Sequence, residues 1–319
     1  TDVKARNDRL KIELLMYDTV DFHLNIFVKE IVVRNLEGRD REVRLFFNHD
    51  FHIYENEVGD TAYYDPDTMA IIHYKSQRYF LINCCDPAKC GIDHFATGIK
   101  EVAGAEGTWR DAEDGTLSGN PIAQGSVDST LGINLRIKAH GENVAHYWIA
   151  AGTKYSEVVK LNKDIWEKTP EELIRRTENY WKLWVNKEMF NFHDLPQRFV
   201  SFFKRSLLII RTQIDNNGAI IAANDSDIVQ LGRDTYSYMW PRDGALVAYA
   251  LIKSGYMDAT KRFFQFCADV ISKDGYLLHK YNPDRSFASS WHPWLKDDKK
   301  SLPIQEDGIA LVIWALWHH

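Results

Sequence analysis

The sequence predicts a multi-domain β-then-α protein, with an N-terminal antiparallel β-sandwich followed by a helical domain. Three observations carry this. Over roughly the first 155 residues, apolar positions alternate and are rich in the β-branched and aromatic side chains that strands favour. Beyond them helix-start signals appear in series, at Thr169-Pro-Glu-Glu172 and again around Asp194. The length of 319 residues leaves room for two ordinary domains.

In the first part, Leu24–Arg34 and Val43–Tyr54 read as strands, and Asn35-Leu-Glu-Gly-Arg-Asp40 between them reads as a hairpin turn. Further strands are expected around Ala70–Tyr74, Arg78–Asn83, Leu131–Ala139 and Ala145–Ala151. The stretch Ala103–Ser129, rich in Gly, Ala, Asp and Ser, reads as a long loop with at most a short helix. Thr169 then supplies an N-cap, Pro170 the first helical position and Glu172 a capping-box acid, starting a helix that runs to about Lys187. Asp194 caps the next, with Pro196 in its first turn and Phe199, Phe202, Phe203, Leu207 and Ile210 as its apolar positions. Helices are also expected at Gly244–Ser254 and Asp258–Ser272, and a last one from near Gln305. Its run Ile309–Trp317 is apolar on nearly all sides, which calls for burial in something large. The expectation is that the polypeptide continues elsewhere, in the same gene or as a second chain.

Composition narrows the function. Hydrophobic residues make up 45% and charged residues 26%, a globular profile. A net charge of −6 without a basic stripe argues against a nucleic-acid partner. No apolar run approaches membrane-spanning length, and the polar opening Thr1-Asp-Val-Lys is not a signal peptide, so no membrane association and a cytoplasmic location are expected. Cys84, Cys85, Cys90 and Cys267 lack the Cys-x-x-Cys spacing of a zinc site and read as idle thiols. His49 and His52 would point to opposite faces of a strand and read as an ordinary strand edge, not a metal pair. No metal and no cofactor are expected.

The densest chemical signal is Arg233–Leu246, where Tyr238 and Trp240 precede Pro241, Arg242 and Asp243 at a helix start. An arginine fork donates and a carboxylate accepts, so the pair can grip a vicinal diol while the aromatic rings offer stacking faces. The alternative is that Asp243 only stabilises the helix N-terminus and Arg242 pairs with it. The residues alone leave both open.

Three elements in order, Gly218–Asp227, Tyr236-Ser-Tyr-Met-Trp-Pro-Arg-Asp-Gly-Ala245 and Gln305-Glu-Asp-Gly-Ile-Ala-Leu311, resemble glycoside hydrolase family 15, which includes glucoamylases, glucodextranases and some trehalases. The resemblance implies a β-sandwich over 1–160, a helical linker over 161–193 and the first part of an incomplete (α/α)6 barrel over 194–319. It implies that Trp240, Arg242 and Asp243 hold the terminal glucosyl unit of an α-glucan or α-glucoside, with Gln305 and Asp307 beside the pocket. The family's tryptophan ahead of the Gln-x-Asp element has no match at the same spacing; Trp291 or Trp294 fills that role.

The family's reaction is inverting hydrolysis, in which an acid and a base stand roughly 6.5–9.5 Å apart. Both catalytic glutamates of the family lie beyond the Gln-x-Asp element, and so beyond His319 here. Glu306 and Asp307 are adjacent and diverge on a helix, and Asp225 and Asp227 read as turn-ordering residues. The rival readings are a non-catalytic carbohydrate-binding protein or inactive fragment, and a phosphorylase-like relative. Within the family, α-1,4 glucans rank first as substrate. The 319-residue chain is expected to be inactive by itself; measurable turnover of maltose or isomaltose by the purified chain overturns this.

Overall fold

The computed structural model describes residues 2–56, 58–188, 190–224, 236–290 and 295–319. They fall into two compact units, Thr1–Tyr180 and Trp181–His319.

The first unit holds eleven strands: β1 (Asp2–Asn7), β2 (Ile12–Val20), β3 (Ile26–Asn35), β4 (Arg41–His49), β5 (Asp60–Asp65), β6 (Ala70–Lys75), β7 (Arg78–Cys85), β8 (His94–Ile99), β9 (Ile122–Gly125), β10 (Val127–Ile137) and β11 (Glu142–Gly152). All pair antiparallel, in an eight-stranded sheet ordered β1-β2-β3-β11-β7-β6-β5-β9 and a three-stranded sheet ordered β4-β10-β8. Alternation along each strand sorts side chains between two cores. Ile31, Val33, Ile71, Ile82 and Tyr147 face Leu131, Ile133 and Leu135 of the small sheet. Their neighbours Val28, Ile72, Leu81 and Trp148 point the other way, against α1 (Tyr155–Lys168). Strands buried on both faces are apolar at consecutive positions, as in Ile71-Ile72 and Leu81-Ile82. Helix α1 covers the outer face because Val158, Leu161, Asn162 and Ile165 share one side, and Asn162 Oδ1 accepts a 2.9 Å bond from the buried Trp148 indole.

Several expectations need correction. Asn35–Asp40 is not a hairpin turn: β3 and β4 lie in different sheets, so this segment crosses between them. The Asn35 side chain fixes the crossing by donating to Arg39 O and Lys138 O at 2.8 and 3.0 Å. The expected loop 103–129 contains a 3-10 helix at Thr108–Asp114, strand β9 and the start of β10. Helix α1, which begins inside the expected sandwich span 1–160 and runs into the expected helical linker, precedes the Thr169 helix, α2 (Pro170–Val185), whose Glu172 N–H does donate to Thr169 Oγ1 at 3.4 Å.

His49 is also no strand edge. It is buried between the sheets, its Nε2 2.7 Å from Tyr147 Oη and its Nδ1 3.2 Å from Ser129 Oγ. Ser129 Oγ in turn lies 2.7 Å from Nε2 of the buried His73. His52 lies outside the strand, beside Asp50 and Lys100.

The second unit holds α3 (Gln197–Thr212), α4 (Pro241–Lys253), α5 (Met257–Val270) and α6 (Glu306–Trp317). Asp194 does not cap α3. Pro196 occupies the cap with a ψ of 139°, and no side chain caps the helix there. Phe199 and Phe202, expected to be apolar anchors, are exposed on α3, whereas Leu207 is buried. Burial of α6 is one-sided: Gly308, Val312 and Ala315 are buried, while Ile313 is 63% and Trp317 79% exposed. No described helix is long and apolar enough to cross a membrane.

Burial lowers the pKa of His49 to about 3, and that of His73 well below its ordinary value, with His49 and Lys100 adding to the second shift. The unfolded chain takes up protons near pH 6.5 while the folded sandwich does not, so stability is full above that pH and falls as pH drops towards about 3. Each histidine contributes up to about 1.4 kcal/mol per pH unit in this window. Urea midpoints of the first unit should fall steadily from about pH 7 to about pH 5; a flat profile contradicts neutral burial of the pair.

Candidate functional site

The second unit brings the sequence elements together through short backbone pairings. Met239 and Tyr281 exchange two backbone hydrogen bonds of 2.9 Å, and Ala222 N–H donates to Tyr238 O at 3.1 Å. Gly218–Ala223, Tyr236–Trp240 and His279–Tyr281 therefore lie side by side. Trp240 then occupies the N-cap of α4, with Pro241 at the first helical position, where its fixed φ is already helical and its missing N–H is not needed.

Helix α6 reaches the same place. Gly308, in its first turn, is so close to α4 that a Cβ there would stand 3.5 Å from Pro241 Cβ and 3.6 Å from Arg242 N. This approach lets Arg242 span both motifs. Its Nη1 donates to Gln305 Oε1 at 2.9 Å and lies 3.7 Å from Asp307 Oδ2, while its Nη2 donates to Asp243 Oδ2 at 3.1 Å. Asp243 also sits in the first turn of α4, where the helix dipole favours a negative charge. The mutual pairing and the helix-terminus role expected for Arg242 and Asp243 are therefore both present. All three charged side chains are part-exposed, so their attraction is screened by solvent.

The aromatic residues take different positions. Trp240 is only 5% exposed, so its indole forms a floor and offers little free face. Its Nε1, a donor only, gives a 3.1 Å bond to His279, whose Nε2 is therefore the acceptor. Tyr238 packs edge-on to Trp240 with centroids 5.8 Å apart, and Tyr236 is the exposed ring beside them. Lys280 is buried with its Nζ 4.0 Å from the Tyr238 centroid and 5.3 Å from that of Trp240, in cation–π range. Trp291 and Trp294, with Asp225 and Asp227, lie outside the described residues.

His279 and Lys280 were not singled out from sequence. The signal was a polar pair inside the apolar run Leu277-Leu278-His-Lys-Tyr281, both members of which are buried. A hollow of about 560 Å3 lined by Phe190–Leu195, Phe203, Lys253 and Ser254 shares no residue with this cluster and lies at the other end of α4.

Residues 200–317 match the model of glycosyl hydrolases family 15. Over that stretch the chain is family 15-like. An uncharacterized glycosyl hydrolase of Methanocaldococcus jannaschii is 24% identical across 97% of this chain, which spans 47% of that relative's length. A bacterial glucoamylase crystallised with acarbose superposes with a TM-score of 0.64 at 16% identity, covering 89% of this chain and 42% of that one. A candidate kojibiose phosphorylase from the human microbiome gives 0.57 at 9% identity, covering 99% and 40%. The β-rich region followed by helices is thus a glucoamylase-like fold.

The two glycines at these helix contacts can be tested. A Cβ on Gly244 would stand 2.4 Å from Cε2 of the buried Phe263 of α5, whereas one on Gly308 meets only ordinary contacts. Gly244→Ala should destabilise the second unit by about 1–3 kcal/mol, and Gly308→Ala should be neutral or stabilising. Thermal unfolding of the two variants checks the contrast.

Proposed function

We propose that the second unit grips the terminal glucosyl unit of an α-glucan or α-glucoside, and that the whole protein is a glucoamylase-like enzyme releasing glucose by inverting hydrolysis. The observation that carries this reading is Arg242, one guanidinium joined to Asp243 on one motif and to Gln305 and Asp307 on the other. A diol entering there can accept from the fork and donate to the flanking carboxylates. Tyr236 and Tyr238 then offer ring surface to the sugar, and Lys280 supplies a positive charge behind it. Trp291 remains a proposed stacking residue.

In this reading the helices α3–α6 are part of an (α/α)6 barrel whose remainder, with the acid and the base, lies outside these residues. The substrate ranked first is a starch-type α-1,4 glucan. A second reading rests on the similarity to the candidate kojibiose phosphorylase: the same grip, with phosphate in place of water as the attacking group.

Calorimetric titration of the chain with maltose and acarbose tests the grip. Saturable binding is expected, weakened at least about tenfold by Arg242→Ala and by Asp243→Asn, as for loss of a charged hydrogen bond. Absence of binding, or binding unchanged in both variants, overturns the assignment. Assay of the longer gene product with and without inorganic phosphate separates hydrolysis, which yields glucose, from phosphorolysis, which yields a glucose phosphate.

A further inference from the structure

The cysteines of β7 and the turn after it play no part in the sugar site. The strand ends at Cys85 and turns through Asp86-Pro87-Ala88-Lys89. Asp86 and Lys89 exchange backbone hydrogen bonds of 2.9 and 3.3 Å, and the Asp86 carboxylate pins the turn by accepting from Ala88 and Lys89 N–H at 2.8 Å each. On the other side, Gly91 N–H donates to Cys84 O at 2.9 Å. Cys85 and Cys90, bridged antiparallel between those bonds, are thus a non-hydrogen-bonded pair.

Such pairs bring their Cα atoms to about 4.5 Å, with side chains on the same face. A disulfide spans Cα separations of about 4.4–6.8 Å. The bridge therefore sets the Cys85 and Cys90 side chains next to each other on one face of the ribbon. Alternation sends Cys84 to the opposite face, among Ile82, Leu131 and Tyr147 of the sandwich interior, and Cys267 is buried in the other unit.

We infer that Cys85 and Cys90 are a thiol–disulfide pair, a modification site at the end of β7 whose oxidant is a small-molecule disulfide. Cys90 is exposed and Cys85 buried, so Cys90 reacts first. Burial pushes the Cys85 thiol up, and Cys90 beside it adds to the shift, which fits the same order. The Cys90 thiolate attacks one sulfur of oxidised glutathione, forming a mixed disulfide and expelling one glutathione thiolate. Cys85 loses its proton and attacks the Cys90 sulfur, expelling the second. Two protein thiols become one disulfide, one glutathione disulfide becomes two thiols, and the protons from Cys90 and Cys85 pass to the departing thiolates.

Incubation of the folded chain with oxidised glutathione, followed by denaturation and alkylation, tests this. The count of reactive thiols should fall from four to two, and trypsin should release Tyr79–Lys89 and Cys90–Lys100 as one cross-linked species. The cross-link should vanish in Cys90→Ser, an exposed change that leaves the strand core untouched, and in Cys85→Ala, and persist in Cys84→Ala. Retention of four thiols overturns the inference. So does a glutathione that stays on Cys90, a dimer linked through Cys90, or a cross-link that survives in Cys85→Ala.

Discussion

The candidate site depends on how closely α4 can approach its neighbours. Gly244 lies so near Phe263 that no side chain fits between them, and the first turn of α6, at Gly308, packs on the first turn of α4 at ordinary contact distance. A guanidinium reaches only a few ångströms beyond its backbone, so Arg242 can join Asp243, Gln305 and Asp307 only because these helix starts converge. Two motifs 63 residues apart thereby act as one polar surface. Pro241 sets where α4 begins and Trp240 is locked beneath it, held by His279.

The first unit meets a different constraint. Its two sheets enclose polar groups as well as aliphatic ones, and each must find a partner away from water. Ser129 lies between His49 and His73, and Tyr147 closes the far side of His49, while Asn48, Thr108 and Thr130 form a second set around Asp128. These contacts tie β4, β6, β10 and β11 together more specifically than aliphatic packing alone, at the cost of sensitivity to protonation.

Legibility in the sequence followed the range of the interactions. Strands β3, β6, β7 and β11 and helices α2, α4 and α5 were readable because alternation, caps and turn residues act within a few positions. Asn35–Asp40 misled because its turn chemistry is the same whether the flanking strands pair or diverge to separate sheets. The network around His49 was invisible because its partners lie 80 and 98 residues away. In the candidate site, Gln305 and Asp307 were legible only through the family resemblance, whereas Trp240, Arg242 and Asp243 stood out as a local cluster. His279 and Lys280 did not, since only the Met239–Tyr281 pairing carries them to the aromatic rings.

The same geometry limits what the site can do chemically. Asp243 and Asp307 both point at one guanidinium, so a positive fork occupies the space between them. An acid and base that invert a glycosidic centre need that intervening space for the sugar carbon and a water. Glu306 leaves the helix in another direction from Asp307 and cannot complete such a couple with it. These carboxylates are therefore no acid–base couple, and a proton donor and a base opposed across an anomeric carbon would have to come from residues outside the cluster.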